Sequence, residues 1–195
     1  IRPADGAPGP FGIEVSIDGD TAIVSNDADD VFGYSSGSAY IFQRHQGGPD
    51  AWGQVAKLLP SDGSGSARFG NSVSISGDTA LVGAWQDDDP EQNAGAAYLF
   101  RRDQGGPDSW GQVAKIKPTD TARERYFGTS VDLHGDIAVI GSFADDEIGL
   151  GSGSAYVFAR SAGMWSEEQK LLASDGAASD FFGESVSLSG DVALV

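Results

Sequence analysis

A chain of 195 residues that is 39% hydrophobic is long enough for one domain or slightly more, and can form a core if its strands alternate inward and outward. Its net charge of −17, from 29 acidic against 12 basic residues, argues against nucleic acid as a partner, because that binding needs cationic groups to displace phosphate counterions; it also disfavours anionic lipid. The absence of cysteine removes disulfides, thiolate zinc sites and cysteine nucleophiles together, and no apolar run approaches the ~20 residues that cross a bilayer, so no membrane insertion is expected.

One pattern recurs along the whole chain. Phe-Gly stands at Phe11-Gly12, Phe69-Gly70, Phe127-Gly128 and Phe182-Gly183, in steps of 58, 58 and 55 residues. Four residues after each Phe come Val15, Val73, Val131 and Val186. Gly-Asp follows at Gly19, Gly77, Gly135 and Gly190, and then Ala22, Ala80, Ala138 and Ala193. A Gly-x-Ala-Tyr-x-Phe segment runs from Gly37, Gly95 and Gly153, followed by Trp52, Trp110 and Trp165 and by Lys57, Lys115 and Lys170. Register kept over so many positions marks a repeat architecture, with units at approximately 11–68, 69–126 and 127–181 and a truncated one at 182–195.

Within a unit the predicted elements are four strands. In the second repeat, Ser72 to Ser76 alternates polar and apolar, the pattern of a half-buried strand. Gly77-Asp78 suits a two-residue hairpin turn into a second strand, Thr79 to Ala84. A loop rich in Asp and Gly leads to a third strand, Ala96 to Phe100, and Gln104 to Asp108 turns the chain into a fourth, Trp110 to Ile116. The third repeat is shorter only in this last turn, at Ser161 to Met164, where a hairpin tip tolerates a change of length. No segment predicts a helix. Four antiparallel strands per unit, repeated, predict an all-β chain of β-propeller blades, with the recurrent Phe, Tyr and Trp packing between neighbours.

Phe-Gly-x-Ser-Val, then Gly-Asp, then Val-Gly-Ala resembles the FG-GAP repeat, the blade unit of the integrin α-chain propeller, and most closely its bacterial branch. The resemblance implies about three and a half blades of a larger, usually seven-bladed propeller on secreted or surface proteins, often serving adhesion or recognition. Ile1 is not Met and Val195 falls inside a repeat, so further blades are expected beyond this chain. The family's Gly-Ala-Pro is replaced by Ser25-Asn26-Asp27, Gly83-Ala84-Trp85 and Gly141-Ser142-Phe143. Its calcium loops do not carry over either, since the Gly-Asp turns are too short to wrap the six to eight oxygens that Ca²⁺ takes.

Strand order places the 1–2 and 3–4 loops at one end of each blade, and the 2–3 loops and interblade links at the other. The second end collects the acids: Asp27, Asp29 and Asp30; Asp87, Asp88, Asp89 and Glu91; Asp145, Asp146 and Glu147; and, in the links, Asp62, Asp120 and Asp175. Three readings stand open for the loop acids: turn-forming residues on a solvated loop, low-affinity sites for a divalent cation such as Ca²⁺, or an acidic surface for a basic partner. The link acids read as turn residues. Arg44, Arg102 and Arg160, and Lys57, Lys115 and Lys170, recur in every complete unit, which favours an architectural role beside a nearby carboxylate. Neither His45 nor His134 has an identifiable nucleophile or metal partner, and acids repeated three times fit an active site poorly. The expected function is non-catalytic binding of a protein or glycan, with two alternatives: an accessory propeller of a larger enzyme, or a cation-dependent structural module.

Overall fold

The computed structural model describes residues 1–195 apart from Pro8 and Gly47. Every regular element among the described residues is a strand. The first sheet holds β1 (Val15–Asp18), β2 (Thr21–Asn26), β3 (Ser38–Arg44) and β4 (Trp52–Leu58); the second holds β5 (Phe69–Ser76), β6 (Thr79–Ala84), β7 (Ala96–Arg102) and β8 (Trp110–Ile116). The third holds β9 (Val131–His134), β10 (Ile137–Ser142), β11 (Ser154–Ser161) and β12 (Met164–Leu171), and β13 (Ser187–Ser189) pairs with β14 (Val192–Leu194). All neighbours are antiparallel and follow chain order. The predicted second and fourth strands match β6 and β8 residue for residue, whereas β5 begins three residues early because Phe69 pairs with Ala84 across an irregularity.

Hairpin chemistry sets these registers. Asp18 faces Thr21 across Gly19-Asp20, and Gly19 takes φ 56°, a left-handed value costly for any residue with a Cβ. The shortened turn of the third repeat, Ala162-Gly163, has φ 51° and 82°, the double positive φ of a two-residue hairpin.

The sheets are arranged radially. First strands β1, β5, β9 and β13 lie against one another in succession, while the outer strands β4 and β8 barely meet. Four-stranded blades about a common axis are the fold of a β-propeller. The core lies between blades. Ile23, Ile41 and Leu58 of the first blade pack with Phe69, Val82, Tyr98 and Phe100 of the second; Leu81, Leu99 and Ile116 of the second pack with Phe127, Ile140, Tyr156 and Phe158 of the third. Each inner sheet is thus covered on both faces, and β6 and β7 are buried almost throughout. Trp110 and Trp165 pack against these interblade clusters, as their recurrence predicted.

The Phe-Gly signature is explained by backbone contact between blades. Phe69 meets Tyr98 and Phe100 edge to face at 5.5 and 5.9 Å, and Phe127 repeats this with Tyr156 and Phe158. Phe69 also bridges to Gly37 of the preceding blade, where a Cβ would stand 2.0 Å from the Phe69 carbonyl oxygen. Between the next pair of blades, a Cβ on Gly83 would stand 2.1 Å from the Gly128 oxygen. Only glycine admits so close an approach.

The first strand departs from its prediction. In the second repeat its serines are turned from solvent and stitch one blade to the next. Ser72 Oγ accepts the Val131 amide at 3.0 Å, Ser74 Oγ the Leu133 amide at 3.1 Å and Ser76 Oγ the Gly135 amide at 3.0 Å. Ser16, Ser130 and Asp132 do the same for Ile75, Val186 and Leu188. Inner strands converge on the axis without pairing, so side-chain oxygens satisfy amides that would otherwise be orphaned.

Candidate functional site

The 2–3 loop end was expected to be strongly electronegative, and its acids are where the strand order predicts them. Much of that charge is neutralised within each blade. Asp87 is 4% exposed at the start of its loop; its carboxylate accepts the Tyr98 hydroxyl at 2.7 Å and Lys115 Nζ at 3.0 Å. Asp62, in the link entering the same blade, reaches Tyr98 at 3.0 Å and Lys115 at 2.7 Å. The first blade repeats the cluster with Asp29, Asp5, Tyr40 and Lys57, and the third with Asp145, Asp120, Tyr156 and Lys170. Ser38 and Ser154 add hydroxyl donors to Asp29 and Asp145, a contact Ala96 cannot make in the second blade. Burial opposes the charge on Asp29, Asp62 and Asp145, yet the lysine hydrogen bonds win and hold all three pKa values below the ordinary carboxylate range. Burial likewise opposes the charge on Lys57, Lys115 and Lys170, and their carboxylate partners raise all three.

The second acid of each pair shapes the loop. Asp30, Asp88 and Asp146 accept amides five residues on, from Ser35, Asn93 and Gly151, at 2.7–2.8 Å. Asp89 pairs with Lys115 and Lys117, Glu147 with Lys170, and Asp27 with Arg68 at 3.4 Å. Asp62 and Asp120 do lie in turns, but their side chains also join the clusters, a role that reading them as turn residues missed. Among the described residues no group of three or more His, Cys, Asp or Glu is gathered to hold a metal. A lysine ammonium stands at the centre of each acid cluster, within 3.2 Å of Asp62, Asp87 and Asp89 in the second blade. At the opposite end, Arg44, Arg102 and Arg160 pair with Asp20, Asp78 and Asp136 of the Gly-Asp turns, and Arg102 and Arg160 also lie over Trp110 and Trp165. His45 Nδ1 accepts the Asp50 amide at 3.1 Å and so shapes the adjoining turn.

What recurs in every blade is framework, and the blades are distinguished where equivalent positions differ. One such place lies at the 2–3 loop end. Trp85 and Phe143 occupy the position held by Asp27 in the first repeat, and Tyr126 and Phe181 that held by Arg68. Where the first repeat has an ion pair, the next two have a row of rings. Tyr126 stacks on Phe143 at 5.2 Å and 11°, Trp85 leans on Tyr126 at 5.3 Å, and Phe143 meets Phe181 edge to face at 5.9 Å. The backbone beneath is common to all: Arg68, Tyr126 and Phe181 share φ values of 57°, 56° and 54°. Each donates its amide to the preceding 2–3 loop, at Ser35, Asn93 and Gly151, over 3.0–3.1 Å. Sequence reading noted Trp85 and Phe143 only as departures from Gly-Ala-Pro. The available signal was that Tyr126 and Phe181 break the repeat at the residue before Phe-Gly.

Exposed apolar side chains gather at the same end. Val31, Phe32 and Tyr34 stand on the first 2–3 loop, Ile148 and Leu150 on the third and Phe181 on the last link, with Tyr34 75% and Leu150 77% exposed. At the turn end Met164 and, beside the last Gly-Asp turn, Val192 are exposed.

A family model described as FG-GAP repeat matches residues 1–42, 52–100, 110–158 and 165–195. No curated protein matches the chain.

Proposed function

This chain belongs to the FG-GAP repeat family, and from that premise we propose that it is a non-catalytic recognition module of an extracellular or cell-surface protein, binding a protein or glycan through the 2–3 loop end of its blades. Repeats of this family are typical of extracellular proteins. The observation that carries the reading is the segregation of apolar surface. In a chain of net charge −17, Phe32, Tyr34, Leu150 and Phe181 are exposed together at one end, while the other end presents Asp-containing turns paired with arginine. Exposed apolar groups rimmed by charge mark contact surfaces, and aromatic residues are enriched at the centres of such surfaces. The lysine clusters beneath fix the loops, so the surface is organised before a ligand arrives and little ordering cost falls on binding.

The test is binding of the immobilised chain to panels of extracellular proteins and glycans, with Tyr34→Ser, Leu150→Ser and Val113→Ser compared. Loss of the bound partner in the first two, with Val113→Ser on the outer strand unaffected, is the expected result. Binding lost only in Val113→Ser would place recognition on the blade edge and end this reading.

A further inference from the structure

We propose that the groove between the third 2–3 loop and the last two interblade links takes a neutral saccharide, seated on Phe181 and held by the polar groups of Arg123 and Asp146. The proposal rests on the recognition reading above and names the ligand class of one part of that end. The groove has a volume of about 370 Å³ and is lined by Tyr126, Leu150, Phe181, Arg123, Glu124 and Asp146, among others. That is within the range of small-ligand sites.

Two features select the ligand. The first is the ring row. Tyr126 stacks on Phe143 and leans on Trp85, which itself meets Phe143 at 6.0 Å, so the three rings lock one another into a rigid wall. Phe181 closes the row edge to face, 42% exposed, and opposes Leu150. A pyranose presents one face of C–H groups to such a ring, while its hydroxyls need polar partners around the edge. The second is charge. The lining sets Arg123, paired with Glu124, beside Asp146 in a strongly acidic chain, so an anionic sugar is disfavoured while a neutral one meets both a donor and an acceptor. Polar capacity remains: Arg123 uses part of a five-donor guanidinium on Gln92, and Asp146 uses Oδ1 on the Gly151 amide. A guanidinium beside a carboxylate offers adjacent hydroxyls both a donor and an acceptor. The walls are fixed, because Ser179 and Phe181 donate their amides to Leu150 and Gly151 at 2.9 and 3.0 Å. The first two blades have an Asp27–Arg68 ion pair at the equivalent place, so the propeller framework does not itself require these rings.

The experiment titrates the chain with neutral tetrasaccharides (gluco-, manno-, galacto- and N-acetylglucosamine series) and with a heparin tetrasaccharide, following Trp85 fluorescence and amide shifts of Gly151, Ser179 and Phe181. Saturable shifts with at least one neutral sugar are expected. Phe181→Ala should weaken them about tenfold or more, which is about 1.4 kcal/mol, while Phe181→Trp retains them. Asp146→Asn keeps an oxygen for the Gly151 amide, so the loop stays folded, and should weaken binding without disturbing the unliganded spectrum. No shift with any neutral sugar at millimolar concentration overturns the saccharide inference; a protein that still binds through Tyr34 and Leu150 would then leave the broader reading standing. Preference for heparin also overturns it. Sugar shifts confined to the Gly-Asp turns would end both.

Discussion

Asp145 is 2% exposed, and Lys170 Nζ lies 2.8 Å from its carboxylate, so removing the ammonium strands a charge that burial already opposes. Breaking a buried pair costs about 3–5 kcal/mol, and Lys170→Met should cost about 3 kcal/mol because Arg125 and Ser154 still hold Asp145. Chemical denaturation reads this as a lower midpoint at unchanged slope. Asp145→Asn in the Lys170→Met background should recover part of the loss, since the buried carboxylate charge that Arg125 alone then balances is removed. Arg44→Ala removes an ion pair whose side chains are 45% and 66% exposed and should cost no more than about 1 kcal/mol. The same clusters set the pH response. Asp29, Asp62 and Asp145 have folded pKa values below the ordinary one, so their stabilisation is present above about pH 4 and lost as pH falls through the folded values. Lys57, Lys115 and Lys170 are raised, so their contribution is complete below the ordinary lysine value, about 10.4, and lost only above it. Melting temperature should therefore be flat from about pH 5 to 9 and fall below about pH 4. A main transition between pH 6 and 8 would show that other groups control stability.

Strands meet their neighbours in two ways, and each gives a distinct expectation. Gly83 has an ordinary φ, yet a Cβ there would lie 2.1 Å from the Gly128 carbonyl oxygen of the next blade. Gly77 has a left-handed φ of 56° with open space around it. Gly83→Ala should therefore cost about 3 kcal/mol or more by overpacking, and Gly77→Ala about 1–2 kcal/mol from backbone strain alone. Equal melting losses would mean that the interblade backbone contact yields freely. Along the inner seam, Ser72→Ala leaves the Val131 amide without its hydroxyl partner, a loss of about 1–3 kcal/mol, and should speed hydrogen exchange at Val131 more than at Val139. Unchanged exchange at Val131 would show that the seam does not hold that amide. This seam marks where sequence reading stops. Alternation at Ser72 to Ser76 identifies a strand and its two faces, but period 2 reads the same whether the polar face meets water or a neighbour's amides. Turn glycines and the Lys57, Lys115 and Lys170 register were legible because local chemistry and repetition both point to them. The partners of Asp62 and Asp120 were not, since those contacts span 36 residues or more and follow from how a link lies across its blade. The ring row was hidden for the same reason: Trp85, Tyr126, Phe143 and Phe181 are far apart in sequence and meet only through the fan of blades.

Stability in the whole molecule resides between blades. The clusters around Phe69 and Phe127 each draw residues from two consecutive sheets, so a blade is stabilised by each neighbour that covers one of its faces. Arrays of this kind follow a nearest-neighbour scheme, in which a unit covered on one face opens more easily than one covered on both. The second blade is covered on both: Ala80 to Val82 and Ala96 to Ala97 are wholly buried. The first blade has Val15 64% and Ile17 63% exposed on its uncovered face, and Val192 and Leu194 at the other extreme are 65% and 73% exposed. Native-state hydrogen exchange should therefore show a gradient, with β6, β7 and β10 opening only in global unfolding and β1, β13 and β14 by local fraying. Leu81→Ala, in the cluster joining the second and third blades, should cost about 2–5 kcal/mol and lower protection in β10 as well as β6, because the residue belongs to both. Protection that falls in β6 alone would mean that each sheet stands by itself. The interblade core, and the shared groove between the last two links, would then have no energetic basis.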